Sequence, residues 1–204
     1  MLLEIHPDNP NSRHIAQVVD VLRKGGVIIF PTDTIYGIGC DVTNQKAFEK
    51  LCRIRGVKPQ KANFSFLLND LAHISEYTRP FDREVFKLLK ATLPGPFTYI
   101  LPASNMVPAL FRNNRKTIGI RVPDNKIIRT LVAELGNPIV SASLRDDLDT
   151  IAEYLTDPAD IEERFGNQVD LVIDGGYGQN TASTVIDCTG DAPVVIREGL
   201  GQIP

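Results

Sequence analysis

A chain of 204 residues, 43% hydrophobic and 23% charged, is long enough to bury one core and short for two. Its 15 Gly and 14 Pro fall well below a fibrous or disordered composition. A net charge of −3 and a pI near 5.6 exclude a wholly basic nucleic-acid coat but not a local basic patch.

No apolar run approaches the ~20 residues of a membrane span. The opening segment, Met1 to Pro7, lacks the basic flank and apolar core of a signal peptide. These features lead us to expect a soluble, cytoplasmic protein. Cys40, Cys52 and Cys188 are too scattered for a disulfide framework, and no CxxC or HxxxH pair offers a metal site.

In chain order, Asn11-Ser12 can cap a helix whose Ile15, Val18, Val19 and Leu22 share one face, and Gly25-Gly26 stops it. A buried strand fits 27–30, and a helix fits 45–55 with Phe48 and Leu51 inward. The pattern then predicts a strand over 63–68, a helix over 82–91, and strands over 97–101 and 117–122. An amphipathic helix over 127–135 is stopped by Gly136. Residues 138–142 read as a strand, 158–165 as a helix, and 169–173, 183–187 and 194–197 as strands. Intermixed helices and strands imply one α/β domain over 1–204, and the strand-rich last third implies a mixed sheet.

Four segments carry chemistry-bearing residues where strands end, the usual place for ligands in open α/β sheets. Residues 31–41 (PTDTIYGIGCD) offer hydroxyls, a carboxylate and two glycines; a Pro/Asp turn followed by a glycine-kinked strand would use the same residues. Residues 53–61 hold Arg53, Arg55, Lys58 and Lys61, suited either to completing a helix C-terminus or to clamping a polyphosphate. On an extended stretch Arg53 and Arg55 would face the same way. In 117–122, Ile118, Ile120 and Val122 take one face and leave Thr117, Gly119 and Arg121 on the other. This is either a carboxylate receptor or an edge strand with a solvated arginine. Ser141 and Ser143 end the next strand, as ligand contacts or as turn formers.

Taken together, the chain resembles the YrdC/YciO-like threonylcarbamoyl-adenylate synthase family. The matching stretches are PTDTIYGIGCD (31–41), CRIRGVK (52–58), PGPFTYIL (94–101), TIGIRVP (117–123), PIVSAS (138–143), VDLVIDGGYG (169–178), STVID (183–187) and PVVIREG (193–199). The opening IHPDN and the stretch from Asn63 to Leu67 point to the YciO branch. The resemblance implies a YrdC-like fold, a twisted open mixed sheet with a large, positively charged cavity. Longer members carry a second, C-terminal domain that this chain is expected to lack. It also implies a nucleotidyltransferase that condenses ATP, L-threonine and bicarbonate into threonylcarbamoyl-AMP and pyrophosphate, with Mg²⁺, for tRNA modification.

By motif, Thr34, Arg121 and Ser183 would contact the threonine, with Arg121 on its carboxylate. Arg53 and Arg55 would take the KxR positions and, with Lys61, Ser143 and Arg197, face the phosphates of ATP or RNA. Two positions depart from the family pattern. KxR is Arg-Ile-Arg here, and SxN is Ser143-Leu144-Arg145, followed by Asp146, Asp147 and Asp149, which can recruit Mg²⁺ or form a solvated loop. The family is also associated with double-stranded RNA. The competing reading is therefore a module that binds double-stranded RNA, tRNA or ribosomal RNA with weak or no synthase activity. A third is a related adenylate-forming or nucleotide-hydrolysing enzyme acting on another small carboxylate.

Overall fold

A computed structural model describes residues 1–108, 111, 116–145 and 155–203. Among them are ten strands: β1 (Leu2–Glu4), β2 (Ile28–Phe30), β3 (Gly37–Asp41), β4 (Ser65–Leu67), β5 (Phe97–Pro102), β6 (Thr117–Arg121), β7 (Ile139–Ser143), β8 (Leu171–Asp174), β9 (Thr184–Asp187) and β10 (Val194–Arg197). The helices are α1 (Ser12–Arg23), α2 (Gln45–Ile54), α3 (Ile74–Tyr77), α4 (Arg83–Thr92), α5 (Lys126–Leu135) and α6 (Pro158–Phe165). No helix among the described residues is long and apolar enough to cross a membrane.

The strands form one twisted sheet in the order β1-β8-β2-β3-β7-β4-β6-β5-β9-β10. It is mixed, as the strand-rich C-terminal third implies. The pairs β1–β8, β2–β8, β4–β6 and β5–β9 are parallel, and β2–β3, β3–β7, β4–β7, β5–β6 and β9–β10 are antiparallel. Three short elements escape the sequence patterns: β1, α3 and the 3₁₀ turn Pro59–Lys61. Each is too brief to display a period. The predicted helix and strand cores otherwise recur within a few residues.

Strand alternation divides the core in two. Along β2, Ile29 joins one apolar cluster while Ile28 and Phe30 join the other. The first cluster takes Phe48 and Leu51 from α2, Val85 and Leu89 from α4, and Ile161 and Phe165 from α6. The second takes Ile15, Val18 and Leu22 from α1 and Ile127, Ile128 and Leu131 from α5. Each such side chain contributes about 1.5–3 kcal/mol by leaving water.

The helices of that second face begin and end on local signals. Asn11 and Asn125 cap α1 and α5 by accepting backbone N–H bonds from Arg13 and Ile128. Gly136, at φ +78°, closes α5 in the left-handed conformation. The helices α1 and α5 meet Phe30, Ile139, Leu171 and Ile173, on the β1–β7 side of the sheet. Along β6 the first face receives Ile118 and Ile120, whereas Thr117, Gly119 and Arg121 line a cavity.

Candidate active site

The cavity measures about 1020 Å³ and is lined from β4, β5, β6, β7, β9 and β10. Its floor contains one row of residues in direct register across five strands: Ser141, Ser65, Gly119, Ile100 and Asp187. Three of these five positions carry a hydroxyl or nothing, which keeps the space above the sheet open. At Gly119 a Cβ would stand 2.7 Å from Ser65 Oγ, so the glycine leaves room for the Ser65 hydroxyl in its present orientation.

Arg121 is 8% exposed and forms part of the wall. Its Nη2 donates to Asp33 Oδ1 at 2.6 Å and to Thr34 Oγ1 at 2.9 Å, with Thr32 Oγ1 at 3.5 Å. Thr32 Oγ1 in turn donates to the Ile35 carbonyl (2.7 Å) and accepts the Thr34 N–H (3.0 Å). Burial pulls the Arg121 pKa down, and the charge and hydrogen bond of Asp33 push it back up. Its Nε is a buried donor with no hydrogen-bond partner. The solvated-edge alternative for this strand is therefore excluded, since β6 lies between β4 and β5.

Residues 31–41 combine both of their sequence readings. Gly37–Asp41 is a fully buried strand, and the turn before it supplies the groups that hold Arg121. Thr34 is completely buried and touches Arg121 without lining the cavity itself. A second anchor ties this segment to the loop after β8: Tyr36 OH donates to the Gly176 carbonyl (2.7 Å), and Gln179 N–H donates to the Thr34 carbonyl (3.2 Å). Burial pushes the Tyr36 phenol up to about 12.

Arg55, Lys61, Ser143, Arg145, Ser183 and Arg197 line the same cavity as Arg121. Among the described lining residues Asp187 is the one acid. Its Oδ1 accepts from Thr189 N–H (2.9 Å) and Thr189 Oγ1 (2.6 Å). Arg53 and Arg55 are separated. Arg53 lies in the last turn of α2, exposed and outside the lining, because residues two apart on a helix point in nearly opposite directions. Arg55 caps the helix and is part of the cavity lining.

Arg197 donates from Nε (3.2 Å) and Nη2 (2.7 Å) to the Ser183 carbonyl and from Nη2 to Ser183 Oγ (3.1 Å), which in turn meets Thr98 Oγ1 at 2.8 Å. These bonds fasten β10 across the bulge after Val195. Ser65, Thr98, Asp187 and Thr189 were not singled out from sequence. The available signal was a polar residue in the open phase of an otherwise buried strand, as at Thr98 between Phe97 and Tyr99. The acids Asp146, Asp147 and Asp149 lie outside the described residues.

The geometry defines an α/β protein with a mixed sheet, one half of which floors a cation-bearing cavity. Comparison with known proteins gives this class its place. The family model Sua5/yciO/yrdC, described as "Telomere recombination", matches residues 20–199, and the chain belongs to that family. It is 45% identical to the uncharacterized protein YciO of Escherichia coli over 200 residues, covering 98% of this chain and 95% of that one. The crystal structure of E. coli YciO superimposes with a TM-score of 0.92 at 43% identity, covering 100% of this chain and 97% of that one.

A threonylcarbamoyl-AMP synthase of Coxiella burnetii is 30% identical over 175 residues, 86% of this chain and 92% of that one. The crystal structure of P. abyssi Sua5 complexed with L-threonine shares the fold with a TM-score of 0.87 at 24% identity, covering 98% of this chain and 57% of that one. The resemblance read from the motifs, including the likeness to the YciO branch, is borne out.

Proposed function

We propose that this protein joins ATP, L-threonine and bicarbonate into threonylcarbamoyl-AMP, releasing pyrophosphate. The observation that carries the reading is one cavity with two kinds of anion receptor. Arg121 is a buried, strand-mounted guanidinium suited to a single carboxylate, while Arg55, Lys61, Arg145 and Arg197 suit a polyphosphate. A family relative named for this activity, 30% identical to the chain, supports the assignment.

In this reaction the threonine amine attacks the carbon of bicarbonate, and water leaves as the carbamate forms. A carbamate oxygen then attacks the α-phosphorus, and the bond to the bridging oxygen of pyrophosphate breaks. No covalent nucleophile from the protein is needed. Cys40 is unsuited to that role, since burial pushes its thiol far above the ordinary range.

The protein's contribution is positioning and charge stabilisation. Arg121, beside Thr34, orients threonine; Ser183 shapes the amino-acid side of the site; Arg55, Lys61, Ser143 and Arg197 bind the phosphates. The donor set fits a nucleotide-borne Mg²⁺ better than a protein-held one. Among the described residues no group of three or more His, Cys, Asp or Glu side chains can hold a metal, and Mg²⁺ commonly binds through substrate phosphates plus one or two carboxylates. Asp187 is the carboxylate on the lining that would share it. When bound with the triphosphate, Mg²⁺ supplies charge neutralisation there.

The test is mass spectrometry of the products after incubation with ATP, L-threonine and bicarbonate. Threonylcarbamoyl-AMP and pyrophosphate are expected, and their absence from natively folded protein overturns the reading. Arg145 favours a second one, RNA binding without chemistry. A guanidinium stands on the cavity wall where the family pattern has asparagine, and it can pair with phosphate but cannot accept a hydrogen bond to orient a metal. In that case the product is absent, and double-stranded RNA binds with a steep salt dependence.

A further inference from the structure

The Arg121 guanidinium has five N–H bonds, and those on Nη2 go to the segment Thr32–Thr34. The group giving it the shortest contact, Asp33, is itself held from a second side. Asp33 Oδ1 takes Arg121 Nη2 at 2.6 Å, while Oδ2 accepts the backbone N–H of Asp124 at 3.0 Å, in the turn leading from β6 into α5. Both side chains of the ion pair are about nine-tenths buried, at 10% and 9% exposure. Asp33 therefore bridges the strand that carries Arg121 and the turn that follows it. It does so from behind the wall, without lining the cavity. Arg121 Nε is a buried donor without a hydrogen-bond partner.

We propose that Asp33 is a positioning residue for carboxylate recognition. It fixes the Nη2 corner of Arg121, which sets the direction in which the guanidinium faces the carboxylate of an amino-acid ligand. This rests on the synthase reading above, which assigns that carboxylate to L-threonine. Asp33 is suited to the task because it accepts from two donors on different elements at once. An asparagine in its place has one oxygen and an N–H₂ group, so it must give up either Arg121 or the Asp124 N–H. A loosened guanidinium retains its charge but loses its direction. The defect should therefore fall on carboxylate recognition and spare the phosphate end, which Arg55 and Lys61 line from other elements.

The experiment is calorimetric titration of the full chain and its Asp33→Asn variant with L-threonine, with L-threoninol (the same amino alcohol without the carboxylate) and with ATP. Asp33→Asn should weaken L-threonine binding by roughly tenfold or more, the scale of one charge-assisted bond. Threoninol affinity should change by less than about twofold, since it has no carboxylate to meet the oriented guanidinium, and ATP affinity likewise, since its phosphates are assigned to other cations. A merely structural role would lower all three together.

If the variant does not fold, nitrogen-15 NMR of the wild-type Arg121 side chain takes its place. L-Threonine should shift the Nε resonance while the Nη2 bond to Asp33 persists, and displacement of Asp33 from Nη2 by the ligand overturns the proposal. Unchanged or tighter threonine binding by Asp33→Asn also overturns it and leaves the synthase reading intact. A wild type that does not bind threonine at all removes the synthase reading and this inference with it.

Discussion

Replacing Arg121 by alanine should be among the costliest single changes in the chain, and the reason lies in Asp33. The pair is 10% and 9% exposed, so Arg121→Ala leaves a buried carboxylate whose remaining bond is the Asp124 N–H. Breaking a buried pair by removing one partner costs about 3–5 kcal/mol, a large share of the about 5–15 kcal/mol that stabilises a typical domain. Asp33→Ala strands the guanidinium in the same way, with Thr34 Oγ1 at 2.9 Å as a neutral acceptor. The double variant strands neither charge, so its cost should fall short of the sum by about 2–3 kcal/mol.

Urea unfolding at pH 7, followed by circular dichroism with m-values compared across the four proteins, reads this coupling. Raising the salt concentration should change it little, because a buried pair is weakly screened. A cost below about 1 kcal/mol for Arg121→Ala, or additive single variants, would refute the argument that this pair is a dehydrated, mutually dependent unit.

Gly39→Ala places a Cβ 2.5 Å from the Val140 carbonyl and 2.9 Å from Ile139 Cγ2, so the backbone must shift at about 1–3 kcal/mol; Gly119→Ala meets the rotatable Ser65 hydroxyl and should cost less than about 1 kcal/mol by urea midpoint. In ATP titrations Arg55→Ala should lose affinity about tenfold, while Arg53→Ala, exposed and outside the lining, should change it by less than about twofold. Burial raises the Cys52 and Cys188 thiols from 9 to about 11 and Cys40 further, so the folded chain keeps them protonated while the unfolded chain ionises them from pH 9 upward. Stability should hold below about pH 9 and fall between 9 and 11, with Cys52→Ala flattening the decline; a urea midpoint that rises over that interval contradicts it.

The sequence alone determined which face of β6 is which. Ile118 and Ile120 alternate with Thr117, Gly119 and Arg121, and a period of two leaves one assignment once a core exists. It likewise set the start of α1 and the end of α5, because Asn11 caps and Gly136 stops through bonds to residues a few positions away. The family too was legible, from eight motifs in order along the chain.

What surrounds Arg121 was not legible. Asp33 lies 88 positions away, and nothing local marks it as the group that meets Nη2. Arg53 and Arg55 looked equivalent on paper. They part because helical backbone runs through both, Arg55 being the C-cap at φ −81° and ψ −1°. Two residues along a helix turn a side chain nearly to the opposite side, whereas an extended stretch would have kept them on one face. The floor row from Ser141 to Asp187 exists only through the order β7-β4-β6-β5-β9, in which strands far apart in sequence become neighbours. Caps, stops and alternation are short-range and written into adjacent residues, whereas the cavity is made by long-range strand pairing, which tertiary packing alone decides.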